Sequence, residues 1–429
     1  MGSSCFYPTI TMPPIKGGAT GWNAQMTIGT SDIELPQARP APVTGLRGKI
    51  GLFVILSSIS FNMLLVVALL PVLSTMAVAF GGGKQGQLIA QTLETMSGIG
   101  ILVGGPIAGW VADRIGRSNL LFCALALYGV AGSAGVLLDY PPALLGSRLL
   151  QGFGAAGIAV STYSLVSERF EGAARSRVMG YQQAFVSAMG IAALPISGQI
   201  GEAYGWHAPF ALYLSALVML VVALATVPRS QVSARQDTAK GGSVKALIPI
   251  YILMVPLFIA ANMTNLHISF VLAGDGMNKS SAQSYIMMAS PIAYLVGGLL
   301  YGWVMVALGP RRMLCLILAI MAGSGLVIGL SHSAAQTAAG VALAGFASGF
   351  LVPFTTNLVV NRASPEARAR ALGFMYTANY IGNFLNPWII TPIRTHLGNH
   401  ETFLAAGLVL LAAAIAQMLT RRSPVSEPV

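Results

Sequence analysis

From residue 49 onward the chain consists of long apolar runs parted by short polar interruptions. Twelve of these runs reach the roughly 20 residues that carry a helix across a bilayer. They cover approximately 49–78, 87–111, 119–138, 142–166, 178–201, 208–227, 246–273, 282–307, 313–331, 335–360, 371–393 and 402–420. The pattern predicts an all-α integral membrane protein with twelve transmembrane helices. Residues 1–48 are rich in Pro, Gly and Thr and hold no apolar core long enough for a signal peptide; they read as a disordered cytoplasmic tail. Residues 228–245 are the one long hydrophilic interruption, opening with Pro228 and Arg229. They read as a cytoplasmic linker between an N-terminal six-helix bundle, 49–227, and a C-terminal one, 246–420, with 421–429 as a cytoplasmic C-terminal tail.

The two halves repeat each other. An ungapped shift of 193 residues superposes Leu102-Val103-Gly104-Gly105 on Leu295-Val296-Gly297-Gly298, and Gly109-Trp110 on Gly302-Trp303. It also pairs Gly116 with Gly309, Gly152-Phe153 with Gly345-Phe346, and Arg169, Arg175 and Arg177 with Arg362, Arg368 and Arg370. A Trp and three Arg in one register exceed what a Gly- and Leu-rich composition produces. Six helices return the chain to its starting side, so the bundles are expected as parallel, pseudo-symmetric repeats. Transporters built this way bind substrate near the midplane between the halves and expose it alternately to either side.

Composition agrees: 55% of the 429 residues are hydrophobic and only 9% charged, with a mean hydropathy of +0.71. Soluble domains carry about a quarter charged residues. The net charge of +11 invites a nucleic-acid reading, which its distribution opposes. With the N-terminus in the cytoplasm, 20 of the 24 Lys and Arg fall in cytoplasmic segments, including Arg311, Arg312, Arg421 and Arg422. Lys84, Lys279 and Arg394 fall in outer loops, and Arg148 alone lies within a span. That asymmetry orients a plasma (inner) membrane protein with both termini in the cytoplasm. Cys5, Cys123 and Cys315 suggest neither a disulfide framework nor metal spacing. No catalytic motif, metal site or cofactor is expected.

Between the second and third runs stands Gly109-Trp110-Val111-Ala112-Asp113-Arg114-Ile115-Gly116-Arg117, a tight charged turn. Gly116 permits the reversal. Asp113 lies where its own helix dipole opposes a carboxylate, so partners are expected elsewhere, among Arg side chains or another helix N-terminus. The stretch resembles the loop 2–3 signature G-x-x-x-D-R-x-G-R of the major facilitator superfamily, met by Gly109, Asp113, Arg114, Gly116 and Arg117. The resemblance implies a conformational latch at these residues. In the second half the positions of Asp113, Arg114 and Arg117 hold Val306, Ala307 and Pro310, so the latch belongs to the first half.

Two full charges are expected well inside the spans. Glu94 lies 19 residues before Asp113, and Arg148 lies 20 before Glu168; at ~1.5 Å per residue they share a depth, in the outer part of the membrane. Charges there need a partner or a water-filled cavity, and opposite signs at one depth suggest a pair. Burial favours the neutral carboxyl and a guanidinium favours the carboxylate, so parting and rejoining the pair would bind and release a proton; the alternative for Glu94 is a structural role at the edge of the lumen. The run Arg148-Leu149-Leu150-Gln151-Gly152-Phe153-Gly154-Ala155-Ala156 resembles the span-four signature R-x-x-Q-G-x-G-A-A of proton-coupled facilitators. That resemblance implies a coupling role for Arg148, against the alternative of an Arg that only fixes a polar contact between helices.

On span eleven, Tyr376, Asn379, Tyr380, Asn383, Asn386 and Pro387 follow one helical face. Asn side chains facing lipid are costly, so the stripe faces protein or a cavity. Together with Asn357 on span ten and Asn262 and Asn265 on span seven, it is expected either to line a substrate cavity or to form an interhelical hydrogen-bond ladder. Gly190 to Gly198 resembles the antiporter signature G-x-x-x-G-P-x-x-G-G, with Leu194 in place of one Gly and Gln199 in place of the last. Pro195 can still bend that helix. His207, His267 and His332, near outer span ends, read as solvated or capped.

The chain is thus identified as a member of the major facilitator superfamily, most like the twelve-span drug:proton antiporters. The expected activity is proton-coupled efflux of a small organic or amphiphilic compound by a monomer, with substrate, protons and the bilayer as partners and no nucleic acid. Proton-coupled uptake of a small organic anion or other metabolite is the alternative, with Arg148 as counter-charge. A sensor that has lost transport is a third reading.

Overall fold

A computed structural model describes residues 45–170, 172–229, 247–363 and 368–419, leaving aside the side chains of 172–177 and 368–370. Most of the expected N-terminal tail, the linker beyond Arg229 and the C-terminal tail lie outside the described residues. So do the side chains of Arg175, Arg177, Arg368 and Arg370, matched in the repeat, and of Arg421 and Arg422, counted for orientation.

The fold is all-α. The first apolar run is broken into α1 (Leu46–Ser58), α2 (Phe61–Val67) and α3 (Leu73–Ala79), the last break falling at a 3-10 turn that holds Pro71. Then come α4 (Gly83–Ile115), α5 (Arg117–Ser133), α6 (Pro141–Arg169), α7 (Gly172–Tyr204) and, after a 3-10 stretch at Ala208–Leu214, α8 (Ser215–Thr226). The second half contains α9 (Ile248–Gly274), α10 (Ser280–Met287), α11 (Ala289–Gly329), α12 (Ala334–Arg362), α13 (Arg368–Leu397) and α14 (Asn399–Leu419).

Ten helical segments among the described residues are long and apolar enough to cross a membrane. Two differences separate them from the expected twelve runs. The segment Ser280–Gly329 spans 50 residues and covers the eighth and ninth runs, parted by a backbone break at Gly309 (φ 72, ψ 169). The eleventh run forms a continuous helix, α13, whose Asn, Thr and Arg content keeps it outside the apolar set. Side chains that turn outward are large and bare: Val306 is 88% exposed, Trp303 77% and Leu299 71%. A contiguous apolar surface of this kind is at home in lipid.

Packing between helices repeats with the sequence. Gly116 (φ 87) and Gly309 (φ 72) hold the same left-handed turn at positions 193 apart. A methyl group added to Gly152 of α6 would lie 2.1 Å from the Ser97 carbonyl oxygen of α4, and one added to Gly345 of α12 would lie 2.1 Å from the Ser290 oxygen of α11. Gly104 rests on Phe153 and Ala156, and Gly297 on Phe346 and Gly349. Each residue of the second set is the 193-residue counterpart of one in the first. Small residues bring the backbones together where no hydrophobic effect drives helices to associate.

Candidate transport site

The halves enclose a cavity of about 290 Å³, walled by α2, the 3-10 turn at Leu70 and α7 on one side and by α9, α10, α11, α12 and α13 on the other. Its polar lining comprises Asn262 and Asn265 of α9, Gln183 of α7, Ser290 and Tyr294 of α11, Ser348 of α12 and Asn379 of α13. Met63, Val66, Leu70, Phe258 and Met287 supply much of the apolar wall, and no lining side chain is a carboxylate, Lys, Arg or His. Asn262 donates to the Phe258 carbonyl of its own helix at 2.9 Å. Asn265, Gln183 and Asn379 make no hydrogen bond among the described residues, so their amides are free to bind a guest.

The expected cavity stripe is therefore divided. Asn262, Asn265 and Asn379 line the cavity. Tyr380 packs its ring on Gly98 of α4, and Tyr376 is half exposed. Asn357 donates to the Tyr301 hydroxyl at 2.9 Å. Asn386 is fully buried, donating to the Ile259 carbonyl and facing His267. Asn383 has no hydrogen-bond partner among the described residues. Gln183 and Tyr294 join the lining although sequence reasoning passed over them; Gln183 follows Tyr181-Gln182 and Tyr294 stands in an apolar run, neither in a stripe at helical spacing.

Behind the cavity wall, Arg148 of α6 and Glu94 of α4 meet at 3.3 Å, both buried. Arg148 also donates to the carbonyls of Leu93 and Leu65, each at 3.2 Å, to the Tyr213 hydroxyl at 3.0 Å and to Gln151 Oε1. One guanidinium thus ties together α2, α4, α6 and the 3-10 stretch before α8. Glu94 supplies one of five acceptors, so its departure leaves Arg148 still held by four. Leu65 is followed in the chain by Val66 and Val67, both in the cavity wall, which links the pair to the cavity. The 193-residue shift puts Met287 and Val341 at the positions of Glu94 and Arg148; both line the cavity.

At the charged turn, Gly116 closes α4 with its N–H on the Ala112 carbonyl at 2.9 Å. Arg117 pairs with Glu168 at the end of α6, and Arg114 lies 3.7 Å over the Trp110 ring. Asp113 is exposed and makes no hydrogen bond or ion pair among the described residues; the partner expected for it is absent there. Gly109 faces open space. Pro195 lies inside α7, which remains helical through it.

Two expectations are corrected at the opposite end. Arg394, assigned to an outer loop, lies in the last turns of α13 and is 3% exposed. His267, read as solvated or capped, is completely buried. Around them the halves are joined by hydrogen bonds from Gln91 to the Leu266 carbonyl (2.9 Å) and His267 (3.1 Å), from Thr391 to Gln91, and from Arg394 to Gln87. Ser269 meets Ser74 at 3.1 Å, Gln199 donates to the Tyr285 hydroxyl at 2.9 Å, and Glu202 takes Ser281 and Lys279. Thr391 and Arg394 continue the stripe of span eleven at helical spacing, which fixes their helix face but not the partners that bury Arg394.

Apolar-faced helices around a polar cavity, with an ion pair buried beside it, describe a membrane transporter. Residues 52–277 and 250–429 each match the Major Facilitator Superfamily, once per half. The chain belongs to that superfamily: it is a multi-pass membrane protein and a secondary transporter of small molecules, not an enzyme. It is 26% identical over 382 residues to "Multidrug resistance protein 2" of Bacillus subtilis (strain 168), covering 83% of this chain and 92% of that one. It is 24% identical over 398 residues to the "3-(3-hydroxy-phenyl)propionate transporter" of Escherichia coli (strain K12), covering 85% and 94%. Among solved structures, a nucleoside transporter superposes with a TM-score of 0.71 at 16% identity, over 87% of this chain and all of that one. At such identity the likeness is one of fold.

Proposed function

We propose that this protein is a twelve-span, proton-coupled exporter of a small uncharged or amphiphilic organic compound. It works by alternating access as a monomer in the plasma (inner) membrane, with both termini in the cytoplasm. Twelve spans follow from counting the helices before and after Gly309 separately and including α13. The observation that carries the substrate class is the cavity: free amides, a phenol and apolar side chains, with no carboxylate, Lys, Arg or His in the wall. Such a site recognises by hydrogen bonds and shape and has no fixed charge to meet a charged solute.

With the Asp113 turn on the cytoplasmic side, the cross-seam bonds hold the outer end shut while Asp113 has no ion-pair partner among the described residues at the inner end. This state is read as inward-facing, with Asp113, Arg114 and Arg117 as the latch that re-forms when the inner end closes. Glu94 is the proton carrier: it leaves one 3.3 Å contact with Arg148 to take up a proton and releases it on return. Coupling to the cavity runs through Leu65 and the adjoining wall residues Val66 and Val67.

The test is transport by purified protein in liposomes under an imposed proton gradient, with a panel of neutral amphiphiles and small carboxylates. Gradient-driven movement of neutral amphiphiles against protons is expected. Asn265→Ala and Asn379→Ala should each raise the half-saturating concentration several-fold, since each removes about 1 kcal/mol of hydrogen bonding, without ending the proton dependence. Preference for carboxylates moving with protons would favour the second reading, organic-anion uptake. That reading draws its support from the hydroxyphenylpropionate transporter, which matches over the same extent of chain.

A further inference from the structure

His267 sits at the centre of the seam that closes the outer end, and its hydrogen bonds fix its tautomer. Asn386 donates through Nδ2 to the Ile259 carbonyl at 2.7 Å, so its Oδ1 faces His267 Nε2 at 2.8 Å and must accept from it. Nε2 therefore carries the hydrogen and Nδ1 the lone pair. Against that lone pair stand two donors: Arg394 Nε at 3.1 Å and Gln91 Nε2 at 3.1 Å. Arg394 can only donate. The orientation of Gln91 is fixed in turn, because its Nε2 also gives to the Leu266 carbonyl and its Oε1 accepts from Thr391.

We infer that His267 is a proton-binding site at the outer closure, and that its protonation opens this end of the protein. A proton added to Nδ1 would point at two donors, one of them a guanidinium. The Arg394 contact would turn repulsive, and the bond from Gln91, which crosses the seam, would be lost. Once the halves part, the imidazole meets water and binds a proton near its ordinary value of about 6.5. Protons thus bind the open form better than the closed one, and acid outside favours opening.

The surroundings supply no carboxylate to offset the added charge. From α13, Arg394 is held by Asn399 Oδ1 at 2.8 Å and by Gln87, with its guanidinium 4.6 Å over the Phe270 ring. From the outer half of α4, the charged residues are Lys84, exposed at the helix start, and Glu94, bonded to Arg148; Asp113 and Arg114 stand at its far end. From α14 come Glu401 and His400, the latter bonded to Asp275 at the end of α9. Before α10, Lys279 pairs with Glu202. Neither α3 nor the adjoining half of α12 brings a charged side chain.

The inference takes its sense of inside and outside from the orientation proposed above, but its test needs neither substrate nor proton gradient, so failure of export would leave it standing. In full-length protein with Cys5, Cys123 and Cys315 replaced by Ser, spin labels at Val78 and Leu330 report the separation of the halves at this end. Both positions are well exposed, on opposite halves. Between pH 8 and pH 5 the ratio of long to short distances should rise, approaching tenfold per pH unit below about 6.5 for one proton. His267→Gln should abolish that rise, and Arg394→Gln, which removes the opposing cation, should weaken it. A distance distribution independent of pH in the unsubstituted background would overturn the inference. So would a response that survives His267→Gln, or one that vanishes instead in Glu94→Gln.

Discussion

Arg148 holds more of this protein together than any other single side chain described. Its five acceptors come from four stretches of chain, and only one of them is charged. Arg148→Ala would leave Glu94 buried without its cation, at a cost of roughly 3–5 kcal/mol, read as a fall in melting temperature of the purified protein. Adding Glu94→Gln should recover part of that loss, whereas additive losses would mean the two side chains do not interact. Glu94→Gln alone should leave substrate binding intact while flattening the pH dependence of transport; unchanged dependence in liposomes would exclude it as proton carrier. The pair was legible in the sequence because two charges in apolar runs stand out, and counting residues from each helix end gave them one depth. His267 and Arg394 were not. Both lie near span ends, where water is the default neighbour, and what buries them is a set of partners from other helices that no local pattern displays.

At the scale of whole helices, glycine decides how closely the chain can pack on itself. Gly152 and Gly345 put the same backbone contact, 2.1 Å to a carbonyl oxygen for an added methyl, into both halves. Gly152→Ala and Gly345→Ala should therefore destabilise by similar amounts, about 1–3 kcal/mol each, measured as thermal stability in detergent. A large effect in one half and none in the other would mean that the repeat is one of sequence but not of packing. Gly198 of α7 works across the seam, where an added methyl would lie 2.6 Å from the Ser280 carbonyl oxygen and 2.4 Å from Ser284 Oγ. Gly198→Val should accordingly prop the outer end apart, raising the labelling rate of a cysteine placed at Ser284. These repeats were visible as Gly matches 193 residues apart, but a bare sequence cannot tell a glycine that touches backbone from Gly109, which touches nothing. The stripe on span eleven gave a similar half-answer. Its residues share a helical face, yet one face of a 30-residue helix passes a cavity, a neighbouring glycine and a buried histidine in turn.

Over the whole molecule the two halves share a plan but differ in chemistry. The charged turn and the Glu94–Arg148 pair belong to the first half, while the second supplies Asn262, Asn265, Asn379 and most of the remaining cavity wall. The runs of apolar residues, the 193-residue period and the lone charges made the membrane fold readable in advance. The break at Gly309 falls where the sequence already parts two runs, whereas the burial of the outer seam needed coordinates. Where the first half holds Glu94 and Arg148, the second presents Met287 and Val341 to the cavity. On the proposed reading, the proton carrier Glu94 and most of the cargo-binding amides therefore reside in different gene segments. Under selection for a new cargo, replacements at Asn262, Asn265 or Asn379 would then retune what is admitted while Glu94 and Arg148 stay untouched.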